Sequence, residues 1–211
     1  GAGDPDRALV IGAGMGISAG ALAAHPGVSQ IDVIARDDAE LAVSGLFRKE
    51  AGSDSGSAKV KTRTDDARRV LRATDVTWGA IVVAPRRLDG DREAALGIDG
   101  LELVRDGLSP TGVAVFHLPG DSDACEAHAL KRVFPGAVQL PVAGGDARIV
   151  VAPGPLQVTA GRLARGAVQA ALERARLGAP IDLMRRLAGA RPLQVAASAG
   201  VGCMSSGTGG G

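Results

Sequence analysis

Val138-Gln-Leu-Pro-Val142-Ala-Gly-Gly-Asp146-Ala147-Arg-Ile-Val-Val-Ala152 is the stretch that decides the fold. It holds two strand-like runs, 138–142 and 147–152, separated only by Ala143-Gly-Gly-Asp146. So short a connection permits only an antiparallel hairpin, because a parallel pair needs a crossover of about a dozen residues or more. The chain before it reads differently, as short apolar runs alternating with longer amphipathic ones. Strands are predicted at 8–11, 31–35, 60–64, 80–84 and 113–118. Helices are predicted at 17–25, 39–50, 66–73, 100–107 and 121–134, with a polar loop at 51–57 and a turn at Pro110-Thr-Gly112. Such alternation implies a parallel sheet with helices on both faces. The expected class is therefore α/β: a Rossmann-like doubly wound sheet whose parallel strands are closed by an antiparallel C-terminal hairpin. Beyond Pro153-Gly-Pro155, helices are expected at 159–176 and 181–188. The domain is expected to span 1–195, with a flexible Gly/Ser-rich tail at 196–211.

Composition narrows the function. The 211 residues carry 24 Lys+Arg against 23 Asp+Glu, a net charge of +1 that supplies no basic excess for nucleic acid. The four aromatics, Phe47, Trp78, Phe116 and Phe134, leave almost no stacking platform for unpaired bases, so the core must be aliphatic. Cys125 and Cys203 form no CxxC pair, and neither a disulfide framework nor a metal site is expected. No apolar run approaches the roughly 20 residues that span a bilayer. The polar opening Gly-Ala-Gly-Asp4-Pro-Asp-Arg7 is not a secretion signal, and a cytoplasmic protein is the expectation. The first residue is not Met, which suggests part of a longer chain.

Ile11-Gly12-Ala13-Gly14-Met15-Gly16-Ile17 joins the first strand to the first helix. Glycines there let the backbone turn sharply and let a ligand approach the peptide N–H groups with no Cβ in the way. In an open α/β sheet ligands bind beyond the carboxyl ends of the strands, where Asp37 and Asp38 follow the second strand and Asp65 and Asp66 the third. A carboxylate after the second strand can accept from ribose hydroxyls, and one after the third from an adenine amino group. Either acid would serve equally as a helix N-cap or first-turn charge.

A parallel sheet closed by an antiparallel hairpin is the arrangement of class I S-adenosylmethionine-dependent methyltransferases, and the motifs resemble one branch of their relatives. Ala8-Leu-Val-Ile-Gly-Ala-Gly-Met-Gly-Ile-Ser-Ala-Gly-Ala-Leu-Ala-Ala-His-Pro26 is similar to the first strand, glycine loop and first helix of spermidine synthases, above all the fused bacterial spermidine-synthase-like proteins. Asp65-Asp-Ala-Arg68 resembles the family's Gly-Asp-Ala-Arg segment, Trp78-Gly-Ala-Ile-Val-Val-Ala-Pro85 its fourth strand, and Leu108-Ser-Pro-Thr-Gly-Val-Ala-Val115 its turn into the fifth. Gly154-Pro-Leu-Gln-Val158 resembles the start of its C-terminal helical region. The resemblance runs over residues 7–185. It implies an S-adenosylmethionine or decarboxylated S-adenosylmethionine site without metal, held by Gly12, Gly14, Gly16, Asp37, Asp66 and Ala67. The implied partner is a small nucleoside, with a homodimer left open.

The departures fall on the chemistry. The family's catalytic Asp at the end of the fourth strand is Ala84, which can neither accept a proton nor hold an amine, so no catalytic residue is assigned. Its ribose acid corresponds to Ala35, with Asp37 two residues on as a substitute, and its amine-binding Asp corresponds to Met15. The family's N-terminal β-rich lid is expected to be missing, and these 211 residues hold no tyrosine for the lid's Tyr contacts. The expectation is a spermidine-synthase-like domain, a pseudoenzyme or one of altered activity, that keeps the nucleoside cradle.

The alternatives are an active methyltransferase, which needs positioning more than a base, an NAD(P)-binding oxidoreductase, and a non-catalytic partner-binding scaffold. Gly14-x-Gly16-x-x-Ala19 imitates a dinucleotide fingerprint, although the late hairpin argues against it. Gly16-Ile-Ser-Ala-Gly20 spells a hydrolase nucleophile elbow, but Ser18 falls inside the predicted helix rather than on the turn after the strand. Among the histidines only His117 stands near a strand's carboxyl end, where leaving the sheet edge explains it better than function. Arg86 and Arg87 read as a solvated loop pair.

Overall fold

In the first strand, β1 (Arg7–Ile11), the four residues after Arg7 each face one of two cores. Leu9 and Ile11 join a cluster with Trp78, Ile81, Phe116 and Leu130, whereas Ala8 and Val10 join Ala19, Ala23 and Val28 on the opposite face. A strand covered on both sides gains nothing from alternating with polar residues, which is why this run is unbroken aliphatic. The computed structural model describes residues 6–47, 57–84, 97–118, 124–141, 147–151 and 191–192.

Four further strands run parallel to β1: β2 (Gln30–Ala35), β3 (Val60–Thr64), β4 (Trp78–Val83) and β5 (Leu108–Leu118). They alternate with α1 (Ile17–Ala23), α2 (Asp38–Leu46), α3 (Ala67–Arg72), α4 (Ile98–Gly107) and, after β5, α5 (Ala124–Val133). Then come β6 (Val138–Pro141), β7 (Ala147–Val151) and a short β8 (Arg191–Pro192). The sheet order is β3-β2-β1-β4-β5-β7-β6-β8. The chain steps outward from β1 to β3, then returns to place β4 on the other flank of β1, so the order reverses between β1 and β4. That reversal opens a crevice at the strands' carboxyl ends. β7 runs antiparallel to both β5 and β6 and lies between them, and β8 pairs with β6 at the far edge.

The two cores differ in grain. Under α1 the buried residues are mostly Ala and Val, which lets the helix sit close on the sheet. The other face carries the bulk, with Trp78, Phe116 and Phe134 together and the two Phe rings 5.9 Å apart. Three of the four aromatics thus serve one core. No described helix is long and apolar enough to cross a membrane.

The structure shifts some predicted boundaries. β5 starts at Leu108, not at 113, because Trp78 of β4 pairs with Leu108 and Ala80 already pairs with Val113. The intervening Pro110-Thr-Gly112 is a bulge within the strand rather than a turn before it. Its Gly112 is required, since a Cβ there would lie 2.8 Å from the Trp78 carbonyl oxygen. β4 likewise begins at Trp78 instead of 80. α1 stops at Ala23, short of His25, whose Nδ1 accepts the Gly27 N–H at 3.1 Å in the turn that follows. The predicted helices at 159–176 and 181–188, the tail at 196–211, the segment 143–146 and Arg86 and Arg87 lie outside the described residues.

Candidate functional site

The carboxyl ends of β1, β2, β3 and β4 converge on one edge of the sheet, and short backbone bonds hold them in step past the last strand residues. The Gly12 N–H donates to the Ile34 carbonyl, the Asp65 N–H to Ala35 and the Ala84 N–H to Ile11, each at 2.9 Å. From this edge the chain turns into α1 through Gly12, Gly14 and Gly16, with φ of 91°, 49° and 78°. An L side chain rarely adopts those values, so the spacing of glycines here is a backbone requirement. A Cβ on Gly14 would meet nothing within 4 Å, so the loop faces open space at that residue.

Asp37 is the N-cap of α2, its Oδ1 accepting the Glu40 N–H at 2.7 Å. Asp66 is the N-cap of α3, its Oδ1 accepting the Arg69 N–H at 2.9 Å. Both acids therefore do the capping that their sequence context allows, at the crevice where a ligand-contacting acid would stand. Ala67 opens α3 and packs against the larger core. Asp38 accepts from the Thr64 hydroxyl at 2.6 Å, tying the start of α2 to the end of β3. Asp65 takes the Arg69 Nε–H at 2.9 Å and the Asp66 N–H at 2.6 Å on one oxygen. The Arg69 hydrogen bond, aided by the Asp66 amide, holds the Asp65 carboxyl below the usual carboxylate range, and the same pairing raises Arg69.

The residue that organises the crevice is one the sequence reading passed over. Glu40 is 3% exposed, the one buried charged side chain among the described residues. Its Oε1 accepts the Gly14 N–H at 3.1 Å and its Oε2 accepts the Arg36 N–H at 3.0 Å. One carboxylate thus bridges the glycine loop and the end of β2, next to Ala35, where the resemblance places a ribose acid. The available signal was Asp37-Asp-Ala-Glu40, a D-x-x-E capping box. In the usual box the Glu returns to the N-cap amide. Here it takes the amide one residue earlier and reaches across to the loop.

Ala84 follows β4 beside Gly12, and its methyl group offers no proton acceptor. Met15 is 47% exposed on the loop. Ser18 is the second residue of α1, not on the turn after β1. His117 lies near the end of β5, in register with Arg148. The structure brings Gly12, Gly14, Gly16 and Asp37 together through Glu40, and sets Asp66 and Ala67 at the neighbouring strand end. This assembly can cradle a ligand with backbone amides and carboxylates, while Ala84 supplies no base at the end of β4.

No family model matches the sequence, and no curated protein does. Similarity appears in three dimensions. A spermidine synthase in complex with the transition-state analogue AdoDATO superposes with a TM-score of 0.63 at 15% identity, covering 71% of this chain and 55% of that one. Spermidine synthase from Thermotoga maritima gives 0.62 at 15% identity, covering 71% and 54%. Human methyltransferase-like protein 13, in complex with SAH, gives 0.62 at 20% identity, covering 83% and 84%. The chain thus spans about half the length of the spermidine synthases. The five parallel strands of its sheet, with their flanking helices, form the Rossmann-like fold of spermidine synthases and class I methyltransferases.

Proposed function

We propose that this chain binds an adenosyl nucleoside of the S-adenosylmethionine type in the crevice beside the glycine loop, and that it has lost or altered the aminopropyl transfer of spermidine synthases. The observation that carries the reading is the loop itself: three positive-φ glycines at alternate positions, Gly12, Gly14 and Gly16, at the carboxyl end of the central strand, with open space over Gly14. Neighbours of the same fold are found with SAH and AdoDATO, which supports a ligand of that class. Asp66, exposed at the end of β3, is the candidate acceptor for the adenine amino group, and Asp37 lies on the ribose side. The loss of transfer rests on Ala84: deprotonating an attacking amine needs an acceptor within hydrogen-bond reach, and a methyl group is none.

Methyl transfer is the second reading. Human methyltransferase-like protein 13 shares the fold over 83% of this chain and is found with SAH. That reaction proceeds by positioning, and Ala84 does not oppose it.

Calorimetric titration with S-adenosylmethionine, its decarboxylated form and methylthioadenosine tests the reading. Binding of at least one is expected, and no heat from any of the three overturns it. Asp66→Ser retains an N-cap for α3 and removes the carboxylate. The expected result is intact folding with binding weakened at least about tenfold, the cost of one lost hydrogen bond to a charged acceptor. Unchanged affinity would place the adenine elsewhere.

A further inference from the structure

Glycine loops of this kind commonly receive nucleotide phosphates, because their backbone N–H groups face the ligand as unspent donors. In this chain the Gly14 donor is already engaged by Oε1 of Glu40, whose other oxygen holds the Arg36 amide. The carboxylate is buried at 3% exposure, and Gly14 itself borders open space. The point of closest approach to the loop is therefore backed by a fixed negative charge. Asp37 and Asp38 at the start of α2 add two more carboxylates, and Asp65 and Asp66 two at the end of β3. The cations on the same elements are Arg36, Lys61, Arg63, Arg68, Arg69 and Arg72, of which Arg69 is bound to Asp65, and it is the buried Glu40 carboxylate that touches the loop itself.

We propose that Glu40 sets the ligand class of the glycine loop, admitting neutral and cationic nucleosides and rejecting 5′-phosphorylated ones. The proposal rests on the nucleoside reading above and deepens it. A phosphate over Gly14 would either displace a carboxylate from two amides or lie against it. Salt screens a buried charge much less than an exposed one, so the repulsion persists at ordinary ionic strength. A sulfonium or a plain 5′-thioether meets no such penalty, and a sulfonium is attracted. Discrimination of this sort comes from the unfavourable contact with the wrong ligand. It also separates two readings that Gly14-x-Gly16 leaves open, since a dinucleotide would have to place its pyrophosphate against Glu40.

The test is calorimetric titration of the full chain with methylthioadenosine and with AMP, repeated on Glu40→Gln, with circular dichroism to establish folding of the variant. The expected result for the wild-type chain is methylthioadenosine binding, with AMP weaker by at least about tenfold. In Glu40→Gln the ratio should fall toward unity. AMP binding within about threefold of methylthioadenosine in the wild-type chain overturns the proposal and leaves the nucleoside reading standing, and that arm needs no variant. An unchanged ratio in folded Glu40→Gln also overturns it. If methylthioadenosine does not bind the wild-type chain the proposal falls, and the nucleoside reading falls with it only when S-adenosylmethionine and its decarboxylated form give no heat either.

Discussion

Replacing Glu40 by Leu retains most of the side-chain volume and removes both acceptors from between Gly14 and Arg36. Two backbone amides, bonded to the carboxylate at 3.1 and 3.0 Å, then lose their partner. A buried donor left unsatisfied costs about 1–3 kcal/mol. Against this stand the relief of burying a charge and the transfer of an apolar side chain inward, worth about 1.5 kcal/mol or more. Water can also reach the Gly14 amide from the open side of the loop. The balance is a loss of about 2 kcal/mol for Leu, and about 1 kcal/mol for Gln, which keeps one acceptor. Urea unfolding followed by Trp78 fluorescence measures it cleanly, because Trp78 is the chain's single tryptophan, 3% exposed, and there is no tyrosine. Amide hydrogen exchange supplies the local readout: Gly14 and Arg36 should exchange faster in the Leu variant while β1 and β4 stay protected. Stability within about 0.5 kcal/mol of wild type, with both amides still protected, would refute the bridging role of Glu40.

Gly14→Ala should leave the protein folded at a cost of about 1 kcal/mol, since its φ of 49° disfavours a side chain but nothing obstructs the methyl group. Ligand binding should suffer far more than stability in that variant, and equal affinity would show that the ligand does not approach the loop there. Phe116→Ala removes a fully buried ring packed on Phe134 and should cost about 3–5 kcal/mol by urea unfolding. Asp65, held low by Arg69, contributes stability that is present above the ordinary carboxylate pKa of about 3.9 and is lost as pH falls through its lowered folded value. Asp65→Asn should flatten the acid limb of the stability profile below about pH 4, and an unaltered limb would assign that loss to other carboxylates.

The sheet was legible because both-face burial writes itself into sequence as unbroken aliphatic runs. Ala8 to Ile11 reads as a strand for the same reason that it is buried in the structure, and Ile31 to Ala35 does so apart from the half-buried Asp32. Asp37 and Asp66 were legible as caps from their place before a helix, and the glycine loop from its spacing. What local pattern does not carry is the partner across the crevice. Pro110-Thr-Gly112 reads as a turn, and only the pairing of Trp78 with Leu108 makes it a bulge inside β5. Glu40 reads as an ordinary helical surface acid among polar neighbours. Its burial depends on the glycine loop 26 residues earlier in sequence being carried beside it by the β1–β2 ladder. Sequence by itself determined the alternation, the loop and the absence of a base at Ala84, because these are properties of residue type and spacing along the chain. The tertiary structure alone decided which carboxylate closes on the loop, because an acceptor is chosen by the N–H groups that folding brings within 3 Å or so of it.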